Sequence, residues 1–438
     1  MRYVARWPGT ATGAAFLLMP ISAHAANGYT QYGYGTASKA MGGVSYALPM
    51  DSLIPSSNPA GLTQVGERLD VGVDWLSPRR GAKIKGNSTA PLVSADGAYD
   101  ANEIKQFFVP EFGFSRDYNE TLSYGVAVYG NGGLNTEYAE NPFAAFGATG
   151  NAGVDIAQVF VSPTIAWRIN EHHSVGLAVN LAYQQMKVYG LGIFGTESFP
   201  GPFSQSPDHV SDKGYDRSWG IGYRLGWFFE PVEGVSIGLS WQPETRMSRF
   251  DKYKGLIRDQ GRLNIPPNYG LGVSWRVVDR VTLAFDVQRI DYDTVPALGK
   301  TLQPFIAGEL LGAGNGPGFG WRDMTIYKLG MAYQVNAKLK LLAGFSDTRA
   351  PIPADQTMLN IVAPAILEKH YTAGFIYEQK SLSFAAYYFY APRVTVRGKG
   401  SIPPTTASNP FPPQSFGGGE VDLSAHGQTA GVSLTWRY

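Results

Sequence analysis

The sequence predicts an all-β chain, a 14-stranded antiparallel transmembrane β-barrel with an N-terminal plug in its lumen. Three observations predict it. Apolar residues alternate with small or polar ones along many segments. The links between those segments switch regularly between short and long. A leader precedes a chain with no stretch of about 18 apolar residues, the length a transmembrane helix needs.

The leader occupies residues 1–25. Arg2 and Arg6 form its positive start, Gly13 to Ile21 its short apolar run, and Ala23-His24-Ala25 a small-x-small cleavage pattern. Cleavage is expected near Ala25, and a retained anchor is the alternative. Charged residues are 16 % of the chain, aromatic residues 13 %, and 53 residues are glycine. Soluble domains carry about 25 % charge. In hydrocarbon, a chain without apolar helices satisfies its backbone only as a closed barrel. A net charge of +1 argues against nucleic acid as a partner. With no cysteine there is no disulfide, zinc-thiolate site or thiol nucleophile.

The strands follow from period-2 runs. Val235, Ile237, Leu239 and Trp241 alternate with Ser236, Gly238, Ser240 and Gln242, and Val175, Leu177, Val179 and Leu181 do the same with Ser174, Gly176, Ala178 and Asn180. One face suits lipid and the other a lumen. Strands are expected near 67–76, 106–116, 121–138, 156–169, 174–190, 218–230, 235–250, 267–277, 281–293, 323–335, 339–348, 368–378, 381–393 and 426–438. Links such as Asp117–Glu120 and Gln379–Lys380 are short, whereas 191–217 and 394–425 are long. Short periplasmic turns and long outer loops are what an outer-membrane barrel shows, and a soluble sandwich has no reason to alternate so. Val432, Leu434, Trp436 and Tyr438 end the chain on an aromatic. That ending suits recognition by the barrel assembly machinery.

Residues 26–66 do not alternate, and 67–438 make the barrel. The N-terminal stretch either hangs in the periplasm or fills the lumen. A barrel of this width is open unless filled, and Leu48, Met50, Leu53 and Ile54 favour burial. The plug is therefore the expectation.

Gly28-Tyr29, the Ser38–Gly43 stretch, Ser57 through Leu62, Tyr129–Tyr138, Gly320–Asp323 and Ser346–Pro353 occur in an order that resembles the FadL/TodX family. These are outer-membrane transporters of long-chain fatty acids and aromatic hydrocarbons. The resemblance spans the mature chain. It implies ligand capture at outer loops, movement of a hatch, and lateral exit through a kink of the third strand. It assigns the hatch residues Asn58, Pro59, Ala60, Gly61 and Leu62 a place near that kink. Gly130, Asn131, Gly132 and Gly133 interrupt the third strand and permit a bulge, or else mark the start of a loop. Phe143, Phe146, Phe194, Phe199 and Phe203 lie in outer segments and are candidates for ligand contact, or for loops packing on each other. Arg322 and Lys187 are the candidate partners of a carboxylate headgroup.

The expected function is thus outer-membrane transport of hydrophobic compounds. The alternatives are a general diffusion porin and a structural or adhesive barrel. No catalytic motif of the GxSxG, HExxH or P-loop kind occurs, so no enzyme, metal or cofactor is expected. The expected partners are a hydrophobic small molecule, outer-membrane lipid and lipopolysaccharide, and the assembly machinery, around a monomer.

Overall fold

The structure is a computed structural model, and it describes residues 27–88, 94–197, 201–405 and 415–438. The expected leader lies outside the described residues. Fourteen strands form the ring. In chain order β1–β7 are Arg68–Lys85, Phe107–Asp117, Leu122–Tyr138, Ala152–Arg168, His173–Tyr189, Asp216–Val232 and Val235–Gln242. β8–β14 are Asn268–Val278, Val281–Ile290, Met324–Gln334, Leu339–Asp347, Lys369–Gln379, Leu382–Val396 and Glu420–Arg437. Each pairs antiparallel with its chain neighbour. β1 closes on β14 from Arg68 opposite Arg437 to Lys85 opposite Glu420.

The alternation read from sequence decides which way each side chain faces. On β7, Leu239 and Trp241 are exposed while Ser236 and Ser240 are buried. Trp219, Tyr327, Tyr371 and Tyr388 lie exposed toward the loop ends of their strands, and Trp167, Trp275 and Trp436 toward the turn ends. These are the two interfacial girdles of a membrane barrel.

Some strand ends depart from the sequence reading. Alternation carries the seventh strand to residue 250, but β7 stops at Gln242. Pro243 follows and has no N–H for the ladder. The chain then bridges Thr245 to Ile265 and Met247 to Gly220. β1 and β14 are longer than read, because their upper ends pass beyond the apolar band. Arg79, Lys83 and Asp422 face outward there while Ala82, Ile84, Val421 and Leu423 face the lumen, so the lipid-facing apolar pattern is replaced by a charged one.

Residues 27–66 run inside the ring. Their hydrogen bonds reach Asp70 on β1, the Trp227 carbonyl on β6, Asp286 on β9 and Thr372 on β12. One short segment meets strands on every side of a ring only from within.

Candidate functional site

The interior segment divides by how it is held. From Thr36 onward it is tied by charge. Lys39 Nζ lies 2.5 Å from Asp74 on β1 and 2.7 Å from Glu111 on β2, with all three side chains almost wholly buried. Burial alone would discharge the ammonium, but the two carboxylates outweigh it and hold its pKa above the ordinary value. The Ser45 and Tyr46 amides donate to Asp286 at 2.7 and 3.1 Å. Arg224 donates to the Ser57 carbonyl at 3.3 Å.

Asn58 caps the tight helical turn Pro59–Gln64 by accepting from the Ala60 amide at 3.1 Å. Its amide donates to the Tyr46 and Trp227 carbonyls at 2.7 and 3.0 Å. Pro59, Ala60, Gly61 and Leu62 are buried with it, chiefly against β4, β5 and β6 and also against β3. The resemblance places this stretch near the third-strand kink. The structure sets it lower on the wall, where Leu62 lies beside Gly125 of β3 below the bend, and another part of the segment meets the bend itself.

That part is Asn27 through Tyr34. β2 and β3 pair only from Phe112 opposite Val128 down to Asp117 opposite Ser123. Above Val128, β3 leaves β2 while staying on β4, and the β3–β4 register slips between Gly130 and Gly132 around Asn131. Tyr129 through Thr136 are all buried, so this stretch is covered on both faces. The Gly133 amide donates to the Tyr29 carbonyl at 2.9 Å, and the Gln31 amide to the Asn131 carbonyl at 3.3 Å. Tyr34 Oη donates to the Asn131 carbonyl at 3.2 Å. A Cβ on Gly132 would collide with the Tyr29 carbonyl, so only glycine allows this approach. Unlike the rest of the segment, Asn27–Tyr34 has no ion pair among the described residues.

Above this junction lie two neighbouring apolar cavities of about 60 Å³ each. The inner one is lined by Tyr29, Leu134, Ile156, Met186, Leu298 and Trp321 among others, and among the described residues its wall has no charged one. The outer one includes Phe194, Phe305 and Leu311, and both share Leu256, Ile257, Phe319 and Val362. Each has room for several water-sized groups. Tyr29, Tyr292 and Trp321 form an aromatic cluster with ring centres 5.2 to 6.0 Å apart. Tyr292 Oη donates to the Asn27 carbonyl at 2.6 Å, and Trp321 Nε1 to Asn360 at 2.6 Å, which satisfies these two of the three polar tips. Beneath the segment the character reverses. A cavity of about 390 Å³ near the short turns is lined by Arg276, Arg280, Lys340, Glu378 and Arg437 among others.

Of the residues read from sequence, Gly130 to Gly133 sit where β3 bends. Phe143, Phe194 and Phe203 are buried in one apolar cluster, with Phe146 partly buried on it, and Phe194 lines the outer cavity. Phe199 lies outside the described residues. Neither candidate cation reaches a cavity. Lys187 alternates with the buried Met186 and Val188, faces outward, and sits 4.8 Å over the Tyr189 ring. Arg322 is exposed. Asp323, its neighbour, pairs with Arg289 at 2.6 Å. The lining residues that sequence reasoning missed include Tyr29, Tyr292, Phe319 and Trp321. Tyr29 and Trp321 stand inside stretches that carried the family resemblance, but nothing in sequence brings them together.

A closed antiparallel ring with an apolar outer band and a chain segment in its lumen defines an outer-membrane β-barrel of the filled kind. The chain belongs to the outer membrane protein transport protein (OMPP1/FadL/TodX) family, whose model matches residues 18–438. A long-chain fatty acid transport protein of Escherichia coli O6:H1 is 22 % identical over 417 residues, 84 % of this chain and 86 % of that protein. The Pseudomonas putida toluene transporter TodX shares the fold with a TM-score of 0.64 at 16 % identity, over 93 % of this chain and 99 % of that one. A Pseudomonas aeruginosa FadL homologue gives 0.66 at 14 % identity, over 94 % and 99 %.

Proposed function

We propose that this chain carries small, uncharged hydrophobic molecules across the outer face of the membrane and releases them sideways into the bilayer. The observation that carries this reading is the inner cavity, whose uncharged wall includes Tyr29 at the bend of β3. A ligand enters among the outer loops, passes the Phe194 cavity and reaches the inner one. Residues 27–66 form the hatch, and within it Asn27–Tyr34 is the moving part. When that stretch leaves the Gly130–Gly133 bulge, the unpaired interval between β2 and β3 becomes the exit.

Two physical arguments support lateral release. The route straight down runs into the charged cavity near the turns, and each CH₂ moved from an apolar site into water costs about 0.8 kcal/mol. The ion pairs of Lys39 and the hydrogen bonds that charged Asp286 and Arg224 make to the segment's backbone also hold the rest of it in place. As to substrate, the relatives span fatty acids and toluene. A carboxylate buried without a cation is costly, and the inner wall offers none. Arg258 lines only the outer cavity, where its guanidinium donates to the Gly316 carbonyl. Neutral aromatics and short hydrocarbons therefore fit the inner site better than fatty acids.

The test is uptake by cells expressing the chain or a variant lacking residues 27–34, with labelled toluene, an alkane and a long-chain fatty acid. The reading expects toluene or alkane uptake above fatty-acid uptake, and a large change on deletion. Equal uptake by both forms would remove the gate, and a strong preference for the fatty acid would remove the substrate assignment.

A further inference from the structure

A groove on the outside of the wall is unrelated to the transport route. It lies at the loop ends of β13, β14 and β1, beside a short outer strand over Gly97–Asp100, and measures about 650 Å³. Its walls include Arg79, Lys83, Arg393 and His426, with the carboxylates Asp100 and Asp422. The facing follows from register. Arg79 stands opposite His426 and Lys83 opposite Asp422. The alternate positions Arg80, Ala82, Ile84, Val421, Leu423 and Ala425 are buried toward the lumen. Arg393 reaches the same face through the irregularity between Ala391 and Val394, where β13 carries extra residues against β14.

Height sets what this groove meets. Tyr388 and Tyr390 stand exposed just below it on β13, and Trp75 is half-buried at the same level on β1. From Trp75 to Arg79 the strand rises about 13 Å at roughly 3.3 Å per residue. With a tilt of about 45° that is some 9 Å above the girdle, the level of outer-leaflet headgroups. The carboxylates do not cancel the cations. Asp422 is 2.9 Å from Lys85 and accepts from the Gly398 amide, and Asp100 accepts from Asn102. Among the described residues, Arg79, Lys83 and Arg393 have no carboxylate partner within ion-pair distance. Two guanidiniums and an ammonium without an ion-pair partner among the described residues, at headgroup height on a lipid-facing wall, match a doubly charged phosphoryl group on a lipid.

We infer that this groove is a binding site for the phosphorylated headgroup of an outer-leaflet lipid, with Arg79 and Arg393 taking the phosphate and Lys83 closing its outer side. The acyl chains then run down the Tyr390, Tyr388 and Phe384 face of β13. The site holds the wall in its leaflet and does not touch the transported molecule.

The experiment is native mass spectrometry of the full mature chain, delipidated and titrated with bis-phosphorylated lipid A, the same lipid with both phosphates removed, and inorganic phosphate. The expected result is one lipid A retained per chain, with binding of the dephosphorylated lipid at least tenfold weaker. Arg79→Ala with Arg393→Ala should lose at least tenfold, and Arg79→Lys with Arg393→Lys should keep most of the binding. Heat-dependent mobility on a gel checks that each variant is folded, and Arg79→Gln with Arg393→Gln serves if the alanine pair is not. Toluene uptake should be the same in all of them. Undiminished lipid A binding by a folded Ala or Gln pair overturns the site. Equal binding of the dephosphorylated lipid shows an acyl contact only, and displacement of lipid A by equimolar phosphate shows an anion site without a lipid. Either result overturns the inference.

Discussion

Lys39 carries its charge where almost no water reaches, and Asp74 and Glu111 hold it there. Removing it leaves two carboxylates buried side by side. Breaking a buried ion cluster by one partner costs about 3–5 kcal/mol, so Lys39→Met should unfold at clearly lower urea than the parent, followed by tryptophan fluorescence. An unchanged midpoint would show that the interior segment is not held by charge. Asp51 behaves in the opposite sense. Burial, and then the Asp70 charge, push its pKa up to about 7, with Arg68 opposing. The folded chain keeps a proton that the unfolded chain, with an ordinary value of 3.8, has lost. This group's contribution to stability therefore falls as pH rises from about 4 to about 7 and is flat above. Asp51→Asn should flatten that part of a melting profile, and a profile of unchanged slope counts against the assignment. Sequence reasoning chose Lys187 for its place near the top of the fifth strand and Arg322 from the family resemblance, but for a strand residue phase decides which side it faces. The alternation that sets Val175 and Leu177 toward lipid already sets Lys187 there. Lys39 was different, because nothing in its own stretch says that Asp74 and Glu111 will meet it.

The bend of β3 shows how much of an element can be read in advance. Glycines on either side of Asn131 mark a place where a ladder weakens, and the register does slip there. The rest depends on partners. That β2 stops pairing with β3 above Phe112 is written in neither strand alone, and the close approach of Tyr29 comes from a segment with no strand pattern. The same limit explains β1 and β14. Their lipid-facing halves alternate and were legible, while their polar upper ends were not. Gly132→Val tests the element directly. The new side chain displaces the Tyr29 carbonyl and so moves a wall of the inner cavity. Binding of a small fluorescent aromatic probe should weaken about tenfold, or about 1.4 kcal/mol, while the barrel remains folded. Undiminished binding would mean that Tyr29 is not part of the site.

For the whole molecule, the question is whether fourteen strands make a pore. Strand number and the facing of side chains were legible because turn length and side-chain period are local properties. What fills the ring was legible only as an expectation, since residues 27–66 fold against walls more than 300 residues away in sequence, such as Thr372. A ring of this width conducts water and ions when empty. Here the buried segment meets β1, β6, β9 and β12, with an apolar site above it and a charged cavity below. The two ends are thus chemically different and separated by packed chain, which agrees with the proposed carrier of apolar molecules better than with a diffusion pore. In planar bilayers the intact chain should show no sustained ionic conductance. A variant lacking residues 27–63 keeps the β1–β14 ladder that closes the ring, and it should open steps of the size seen for general porins. Porin-like conductance from the intact chain would mean that the segment does not seal the lumen and would return the general-porin reading to first place.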